Sequence, residues 1–320
     1  MTVVHHHPVA TPDAGPYAVA AGPDGAVWFT LVHAGRIARF TAADGLREFA
    51  LDRTDTGPTV VTTGPDGALW FTEYRGHRIG RITTSGETAH FPLPASLAGP
   101  FGITAGPDGA LWFTATAASA VGRMAVDGET SAFPLPVDDA FPSAIAAGPD
   151  GALWLTLNAA NAIARITCEG KATVHPLSTA GAAPVGIAAG PDGALWFTEI
   201  GAGAVGRITP DGRIDEFPLA NRAARPHAIA PGPDGMLWFT EWAGNRIGRI
   251  TPDGRLLDPI AMPQPGAEPH GLTTGPDGSV WVASFMTTET VCSEVMVRGP
   301  RVERPRCSRV LRTPELFRRH

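Results

Sequence analysis

The sequence has few of the residues that build cross-linked or membrane-spanning proteins. Its 320 residues include only three cysteines, Cys168, Cys292 and Cys307, which are too scattered for a disulfide framework or a zinc site. No apolar run approaches the ~20 residues of a transmembrane helix. The first residues, MTVVHHHPVATPD, lack the basic and apolar regions of a secretory signal. We therefore expect a cytoplasmic protein with no membrane partner.

Positive charge is scarce outside one segment. The net charge is −6, yet residues 298–320 carry eight arginines and two glutamates. A basic tail could bind nucleic acid or an acidic surface, and a disordered or non-native end is the alternative. Because no other basic cluster exists, we expect no nucleic-acid partner.

Glycine and proline are abundant and mark a repeat. The motif GPDG occurs seven times, spaced by 42 residues five times and then by 43, starting at Gly22, Gly64, Gly106, Gly148, Gly190, Gly232 and Gly275. A tryptophan follows each motif, at Trp28, Trp70, Trp112, Trp154, Trp196, Trp238 and Trp281. Such turns with glycine at positive φ join hairpin strands, so we interpret GPDG as a hairpin turn rather than a phosphate-binding loop.

Each repeat reads as four short strands. Residues 226–260 divide into HAIA, MLWFTE, RIGRIT and RLLDPI, separated by turn residues. Four strands in about 42 residues are typical of a propeller blade. The sequence therefore predicts an all-β fold, a seven-bladed β-propeller with four-stranded antiparallel blades over residues 1–284. Residues 3–10, with His5, His6 and His7, resemble a fourth strand that closes the ring, and a closed ring favours a monomer.

Function is expected where the repeats differ. The residue after the proline that opens each inner strand is Tyr17, Thr59, Phe101, Ser143, Val185, His227 or His270. Two positions earlier stand Gly15, Gly57, Gly99, Phe141, Ala183, Arg225 and Glu268. Side chains two apart on a strand share a face, so Glu268 is predicted beside His270 and Arg225 beside His227. This clustering predicts a small-molecule site at one mouth of the channel.

Three glutamates occupy a second variable position, three residues after the tryptophan. They are Glu73, Glu199 and Glu241. Two interpretations stay open: they are ligands facing the channel, or they bind neighbouring backbone donors.

Several segments together resemble the virginiamycin B lyase family. They are WFTEYRGHRIGRIT (70–83), WFTEWAGNRIGRIT (238–251), ARPHAI (224–229) and AEPHGL (267–272), within a resemblance that spans roughly residues 14–283. The resemblance implies a seven-bladed propeller that linearises streptogramin B antibiotics by β-elimination at the threonyl ester and confers antibiotic resistance. It implies His270 as the catalytic base, Glu268 as a Mg²⁺ ligand, and His227, Tyr17 and Arg225 as substrate-binding residues.

The resemblance fails at the end of the last repeat. The family supplies a second glutamate metal ligand at the position of Phe285, and a phenyl ring cannot bind Mg²⁺. Beyond it, residues 285–320 form an aberrant basic tail that we interpret as the result of a reading-frame shift or as disordered. Glu289 or Glu294 could substitute as the ligand. An impaired homologue, a non-catalytic binding propeller and a lactonase-like enzyme are therefore the alternatives to an active lyase.

Overall fold

The computed structural model describes residues 2–285 and 291–297, and nearly all regular structure is β-strand. Six sheets are blades of four consecutive antiparallel strands. Blade 1 comprises β2 (Pro16–Ala21), β3 (Val27–Leu31), β4 (Arg36–Thr41) and β5 (Gly45–Ala50). Blade 2 comprises β6 (Pro58–Thr63), β7 (Leu69–Glu73), β8 (Arg78–Ile82) and β9 (Thr88–Pro92). Blade 3 comprises β10 (Pro100–Ala105), β11 (Leu111–Ala115), β12 (Ala120–Met124) and β13 (Thr130–Pro134).

The next three blades continue the pattern. Blade 4 comprises β14 (Pro142–Ala147), β15 (Leu153–Leu157), β16 (Ala162–Ile166) and β17 (Ala172–Pro176). Blade 5 comprises β18 (Pro184–Ala189), β19 (Leu195–Glu199), β20 (Ala204–Ile208) and β21 (Ile214–Pro218). Blade 6 comprises β22 (Pro226–Pro231), β23 (Leu237–Glu241), β24 (Arg246–Ile250) and a two-residue β25 (Ile260–Ala261). There are also two short 3-10 turns. Ala95–Leu97 lies between β9 and β10, and Thr116–Ala118 lies between β11 and β12 of blade 3.

The remaining sheet, here called the closing sheet, is built differently. Its strands are β26 (Pro269–Thr274), β27 (Val280–Ser284), β28 (Val291–Val297) and β1 (Thr2–Pro8), in the order β26-β27-β28-β1. Only β26 and β27 follow the repeat. The third position is taken by β28 from beyond the break in the pattern, and the outer edge is taken by β1.

The predicted count of seven blades is therefore wrong, although the N-terminal strand does take the outer edge of the closing sheet as predicted. Within the described residues the propeller has six complete blades of four consecutive strands, and only two strands of the closing sheet continue the repeat. The physical reason lies in the sequence after Ser284: no RIGRIT-like strand and no further GPDG turn follow there. Of the predicted tail, 285–320, the segments 286–290, with Glu289, and 298–320 lie outside the described residues. The frame-shift interpretation stays a prediction.

A hydrogen-bonded clasp of Asp, Trp and Arg recurs in the blades. In blade 5, Asp192 accepts hydrogen bonds from Trp196 Nε1 at 3.0 Å and from Arg207 Nε at 2.7 Å, and the guanidinium lies over the indole ring. The same clasp occurs within each of blades 1 to 4. Its Asp–Arg pairs there are Asp24–Arg39, Asp66–Arg81, Asp108–Arg123 and Asp150–Arg165. The aspartate of GPDG thus fixes a buried tryptophan, and the motif is the structural turn that the sequence predicts.

The closing sheet lacks this clasp but keeps the aromatic stacking on its tryptophan that blades 1 to 5 also have. Trp281 Nε1 is buried without a hydrogen-bond partner among the described residues. Its ring stacks on His7 at 5.1 Å and contacts Phe40 at 4.9 Å between centroids. In the strand register, His7 corresponds to Phe49 of blade 1. Phe49 stacks on Trp28 as His7 stacks on Trp281. The histidine has a structural role at this position.

Among the residues described, no helix has the length and apolar character needed to cross a membrane. The longest helical segments among them are the two three-residue 3-10 turns.

Candidate functional site

A β-bulge lies at the start of each inner strand, and four of the seven side chains at this position, Tyr17, Phe101, Val185 and His227, line the channel cavity. In the closing sheet, Pro269 pairs with Ser284 and Leu272 with Val282, so that His270 and Gly271 together oppose the single residue Ala283. The same shift occurs in blades 1 to 6. Because a bulge interrupts the ladder and re-aims a side chain, these positions can differ between blades without disturbing the scaffold.

Threonine hydroxyls fix the backbone at the two histidines. Thr240 Oγ1 accepts a hydrogen bond from Ala228 N at 3.0 Å and donates one to the His270 carbonyl at 2.8 Å. In the preceding blade, Thr198 Oγ1 donates to the His227 carbonyl at 2.6 Å. We call this arrangement the threonine bridge. It satisfies the backbone groups that each bulge leaves unpaired and ties neighbouring inner strands together.

The structure brings three of the sequence-predicted site residues into contact. The ring centroids of His227 and His270 are 4.6 Å apart, and Tyr17 lies 5.0 Å from His270 and 5.8 Å from His227. The Tyr17 hydroxyl and His227 Nε2 are 3.4 Å apart, a long hydrogen bond. His227 lies in blade 6, His270 in the closing sheet and Tyr17 in blade 1, and the closure of the ring is what brings Tyr17 next to the two histidines.

Burial keeps these groups uncharged. Desolvation lowers the pKa of His227 to about 4. Desolvation and then repulsion from His227 lower the pKa of His270 to about 3. The pKa of Tyr17 is raised by burial, so its hydroxyl stays protonated. At neutral pH the site therefore offers two neutral imidazoles and one phenolic donor, and Nδ1 of each histidine is buried without a partner among the described residues.

The close approach of the closing sheet to blade 1 requires a glycine. A Cβ added to Gly271 would lie 2.6 Å from the Tyr17 carbonyl oxygen and 2.7 Å from the Ala18 Cα. These distances are shorter than a van der Waals contact, so only glycine lets the two inner strands approach this closely. The contact between Tyr17 and His270 depends on it.

Two aromatic residues beside the histidines have no role in the sequence prediction of the site. Phe285 lies 4.9 Å from the His270 ring and 6.1 Å from Tyr17, and Trp242 lies 5.8 Å from His270. Both stand four residues after the repeat tryptophan of their sheets. Trp242 is the single tryptophan outside the repeat. That exception is the signal in the sequence that could have identified it as a site residue. Phe285 was identified only as a missing ligand, and here it forms a wall of the site.

The residues two positions before the bulge are not in the strands. Glu268 and Arg225 precede β26 and β22 and adopt the left-handed conformation, with φ of 45° and 51°. In blades 1 to 3 the equivalent residue is glycine, so the non-glycine residues carry a conformational cost of about 1 kcal/mol. Neither residue therefore shares a strand face with its histidine, and the prediction that they do is wrong.

Their side chains have different surroundings. The Arg225 guanidinium lies over the Trp242 ring at 5.3 Å, and that ring in turn contacts His270 at 5.8 Å. Glu268 is half-buried, and its carboxylate makes no hydrogen bond or ion pair with any residue that the structure describes. Its carbonyl accepts a hydrogen bond from the Phe285 amide at 3.2 Å. The assigned roles of these residues stay predictions.

The open space at the site is narrow in the channel and wider at its mouth. The channel cavity has a volume of about 180 Å³ and is lined by residues of the inner strands, including Tyr17, Phe101 and His227. A second pocket of about 220 Å³ adjoins it and shares Tyr17 and Phe101. Neither space can enclose a macrocycle, so such a ligand would lie across the mouth.

These observations agree with one known family. The model of the virginiamycin B lyase family matches residues 2–292. The chain belongs to this family.

Sequence relatives and solved structures agree with that assignment. A segment of 42 residues is 60% identical to virginiamycin B lyase of Streptomyces coelicolor, and 29 residues are 72% identical to that of Mycolicibacterium smegmatis. These alignments span only 14% and 10% of the relatives' lengths, and 13% and 9% of this chain.

The structural matches to the virginiamycin B lyase family are longer. A streptogramin B lyase structure is 38% identical, with a TM-score of 0.87, and the match covers 93% of this chain and 98% of that one. Virginiamycin B lyase from Staphylococcus aureus, as the selenomethionine protein, is 36% identical with a TM-score of 0.88, covering 93% and 100%. A catalytically inactive histidine-to-alanine variant of the S. aureus enzyme, solved with quinupristin, is 37% identical with a TM-score of 0.87, over the same shares.

The magnesium ion that the virginiamycin B lyase resemblance implies does not fit the residues present. Mg²⁺ prefers six oxygen ligands and one or two carboxylates. Glu268 offers one carboxylate, and the phenyl ring of Phe285 stands where the resemblance implies the second. Glu294 lies in β28, and the structure describes only its backbone pairing. A single carboxylate does not complete a magnesium site here, and the predicted cofactor stays a prediction.

Another group of possible ligands lies between blades 1 and 2. Asp52, Glu73 and His90 form the one cluster of three ligand-type side chains in the described parts of the chain. Arg78 occupies its centre, with ion pairs to Asp52 and, at 2.9 Å, to Glu73. Burial opposes ionisation of Glu73, but hydrogen bonds from His90 and Arg78 outweigh it and lower its pKa. The cluster is an ion-pair network.

The three equivalent glutamates do not line the channel cavity. Glu73 pairs with Arg78, and Glu241 pairs with Arg246 at 2.7 Å. Glu199 faces Ala204 at that register position, and its buried carboxylate has no hydrogen-bond partner among the described residues. Burial and then the nearby charge of Glu216 raise the pKa of Glu199 to about 8. Two of these residues are ion pairs, and the third is a buried acid.

Proposed function

We propose that this protein binds streptogramin B-type cyclic depsipeptides across the channel mouth and linearises them by β-elimination at the threonyl ester. Membership of the virginiamycin B lyase family and the similarity to a relative solved with quinupristin support the substrate class. The observation that carries the proposal is the contact of His227, His270 and Tyr17 at the mouth. The partner is a small molecule, and the monomeric state remains an expectation.

In this mechanism the neutral imidazole of His270 takes the Cα proton of the threonyl residue. The C–H electron pair forms the Cα–Cβ double bond, and the Cβ–O bond of the ester breaks. The ester oxygen leaves as a carboxylate, and the peptide becomes linear with a dehydrated threonine. No water is consumed. A neutral imidazole suits this step because a protonated one cannot accept a proton.

His227 and Tyr17 would hold the substrate. The Tyr17 hydroxyl remains protonated because burial raises its pKa, so it can donate a hydrogen bond to a substrate carbonyl. That donation would favour the negative charge that develops on the carbonyl when the proton leaves. Arg225, stacked on Trp242, would bind a more distant part of the ligand.

A second candidate, binding without efficient turnover, is favoured by two observations. Phe285 removes a carboxylate from the mouth and leaves Glu268 as the single one beside the histidine pair. In addition, a general base acts best when its pKa is near the working pH, and that of His270 lies at about 3. A lactonase is less well supported, because Glu73 and Glu241 are held in ion pairs away from the channel.

Incubation with quinupristin separates these functions by mass. Elimination gives a linear product of the same mass as the substrate, whereas hydrolysis adds one water, detectable with ¹⁸O-labelled solvent. An isomeric linear product supports the lyase, and incorporation of ¹⁸O overturns it. Binding without product supports the second candidate.

A histidine variant tests the assigned base. His270→Ala is expected to lower turnover at least 10³-fold, which is within the usual contribution of a general base. His5→Ala, an exposed histidine on the outer edge of the closing sheet, is the matched control and should keep wild-type turnover. Unchanged turnover in His270→Ala would remove this residue from the mechanism.

A further inference from the structure

A pocket beside the histidine pair has features of a second ligand subsite. It has a volume of about 220 Å³ and lies where blades 1 and 2 meet the closing sheet. We propose that this pocket binds an aromatic ring bearing an oxygen acceptor, carried by the ligand whose ester lies at His270. The inference rests on the proposed function and adds a specificity-determining region to it.

The pocket is enclosed by a continuous series of aromatic rings. Phe285 contacts Tyr17 at 6.1 Å, Tyr17 contacts Phe101 at 6.2 Å, and Phe101 contacts Tyr74 at 6.2 Å. All three contacts are edge-to-face, with interplanar angles of 77°, 79° and 89°. Rings in this arrangement leave other faces and edges free to contact a further ring. The pocket is therefore shaped for an aromatic group rather than for a flexible aliphatic chain.

A cation stands at the rim of this aromatic wall. Arg75 is exposed and lines the pocket, and its guanidinium has no ion pair with the residues that the structure describes. Gly57 lies beneath it in the left-handed conformation, and a Cβ there would approach Arg75 Nε to 3.1 Å. A guanidinium next to aromatic faces can stack on a ligand ring and donate hydrogen bonds to an oxygen on it. The Arg75 donors beside the aromatic rings are the reason that we propose a ligand ring bearing an oxygen acceptor.

Continuity with the histidine site identifies the occupant. Tyr17 and Phe101 line both the channel cavity and this pocket. Phe285 contacts His270 on one side and His33 on the other, at 4.9 and 5.0 Å. A ligand too large for the channel would thus reach the pocket while its ester lies against His270. Part of the same molecule, rather than a separate ligand, is the occupant.

The opposite side of the mouth differs. Around blades 4 and 5 the equivalent residues are small or aliphatic, such as Asn158, Ile200 and Val185. An exposed large apolar side chain and an exposed arginine nevertheless occur elsewhere, at Val126 in the turn after β12 and at Arg47 in the outer strand β5. Neither of these two residues lines the aromatic pocket. They provide matched controls.

Quinupristin binding measured by calorimetry tests the subsite. Tyr74→Ala and Arg75→Ala are each expected to weaken binding roughly tenfold, equivalent to one factor of ten in Kd. Val126→Ala and Arg47→Ala should bind as the wild type does. Saturation-transfer NMR should show weaker contact of aromatic ligand protons in Tyr74→Ala. The His270 ring resonances of the unliganded variant should be unchanged, because Tyr74 does not contact that ring.

The outcomes separate the two proposals. If the wild type binds and both pocket variants bind equally well, the subsite is overturned and the proposed function stands. If all four variants weaken binding equally, the effect is not specific to this pocket and the subsite is overturned. If the wild type does not bind quinupristin, the proposed function fails and the subsite fails with it.

Discussion

The six complete blades and the closing sheet solve the same structural problem with different contacts. In blade 5 a clasp of Asp192, Trp196 and Arg207 holds the strands, whereas Trp281 stacks on His7 in the closing sheet. Blades 1 to 6 have a threonine two residues after the tryptophan, whereas the closing sheet has Ala283. The polar pairing of the repeat is thus lost at the closure, whereas the ring stacked on the tryptophan is present in both regions.

The site lies at the boundary between these two regions. His227 and His270 are held by threonine bridges from blades 5 and 6, which are regular. Tyr17 receives no such bridge, because Ala283 has no hydroxyl, and it depends on the close packing of Gly271. The His227 strand has both kinds of contact, because Gly186 also packs closely against the His227 carbonyl. The Tyr17 side of the site therefore keeps the close glycine contact and lacks only the threonine bridge.

The largest expected effect comes from removing a threonine bridge. Thr240→Val should lower the free energy of unfolding by about 3 kcal/mol, because it leaves two buried backbone groups without partners. Chemical denaturation measures the loss. Thr240→Ser keeps the hydroxyl and should retain most of the stability. If the valine variant is as stable as the wild type, the threonine bridge does not stabilise the blades. The bridge would then not distinguish them energetically from the closing sheet.

A pH dependence is expected from a buried acid in a regular blade. Glu199 ionises near 4.5 when unfolded and near 8 when folded. Between these values the folded state binds more protons, so stability falls as pH rises, by at most about 1.4 kcal/mol per pH unit. Glu199→Gln should flatten the slope in denaturation measured across this range.

The matched position in the closing sheet is Ser284, which is also buried without a partner among the described residues. Its hydroxyl does not titrate in this range, so Ser284→Ala should leave the pH slope as in the wild type. An unchanged slope in Glu199→Gln would contradict the assignment of the dependence to that carboxyl.

The smallest expected effect compares the tryptophans. Trp196→Phe removes a hydrogen bond to Asp192, and Trp281→Phe removes none. Trp196→Phe should therefore be the more destabilising, by about 1.5 kcal/mol, the value of a hydrogen bond to a charged group. Thermal or chemical unfolding of both variants measures the difference. Equal losses would mean that ring packing alone holds both tryptophans.

Much of the architecture could be predicted because local turn chemistry is repeated. GPDG specifies a hairpin turn wherever it occurs, and the tryptophan spacing specifies the strand after it. The break after Ser284 was also visible in sequence, as the absence of the repeat. The sequence did not show which strand would take the third position of the closing sheet, because β28 has no RIGRIT-like pattern and is positioned by pairing with β27 and β1.

The site was predictable in part. The ring of variable positions identified Tyr17, His227 and His270, since equivalent residues of a repeat occupy equivalent places. The alternation rule failed for Glu268 and Arg225, because both residues precede their strands in the left-handed conformation. Phe285 and Trp242 were not predicted as site walls, since their position depends on loops rather than on strand periodicity.

The sequence by itself determined the blade, its turns and the residues that vary between blades, because these depend on contacts close in the chain. Tertiary structure alone decided which variable residues meet. Tyr17 and His270 lie near opposite ends of the chain and are joined only when the ring closes and Gly271 permits the strands to touch. Burial in that closed ring, in turn, makes the histidines neutral.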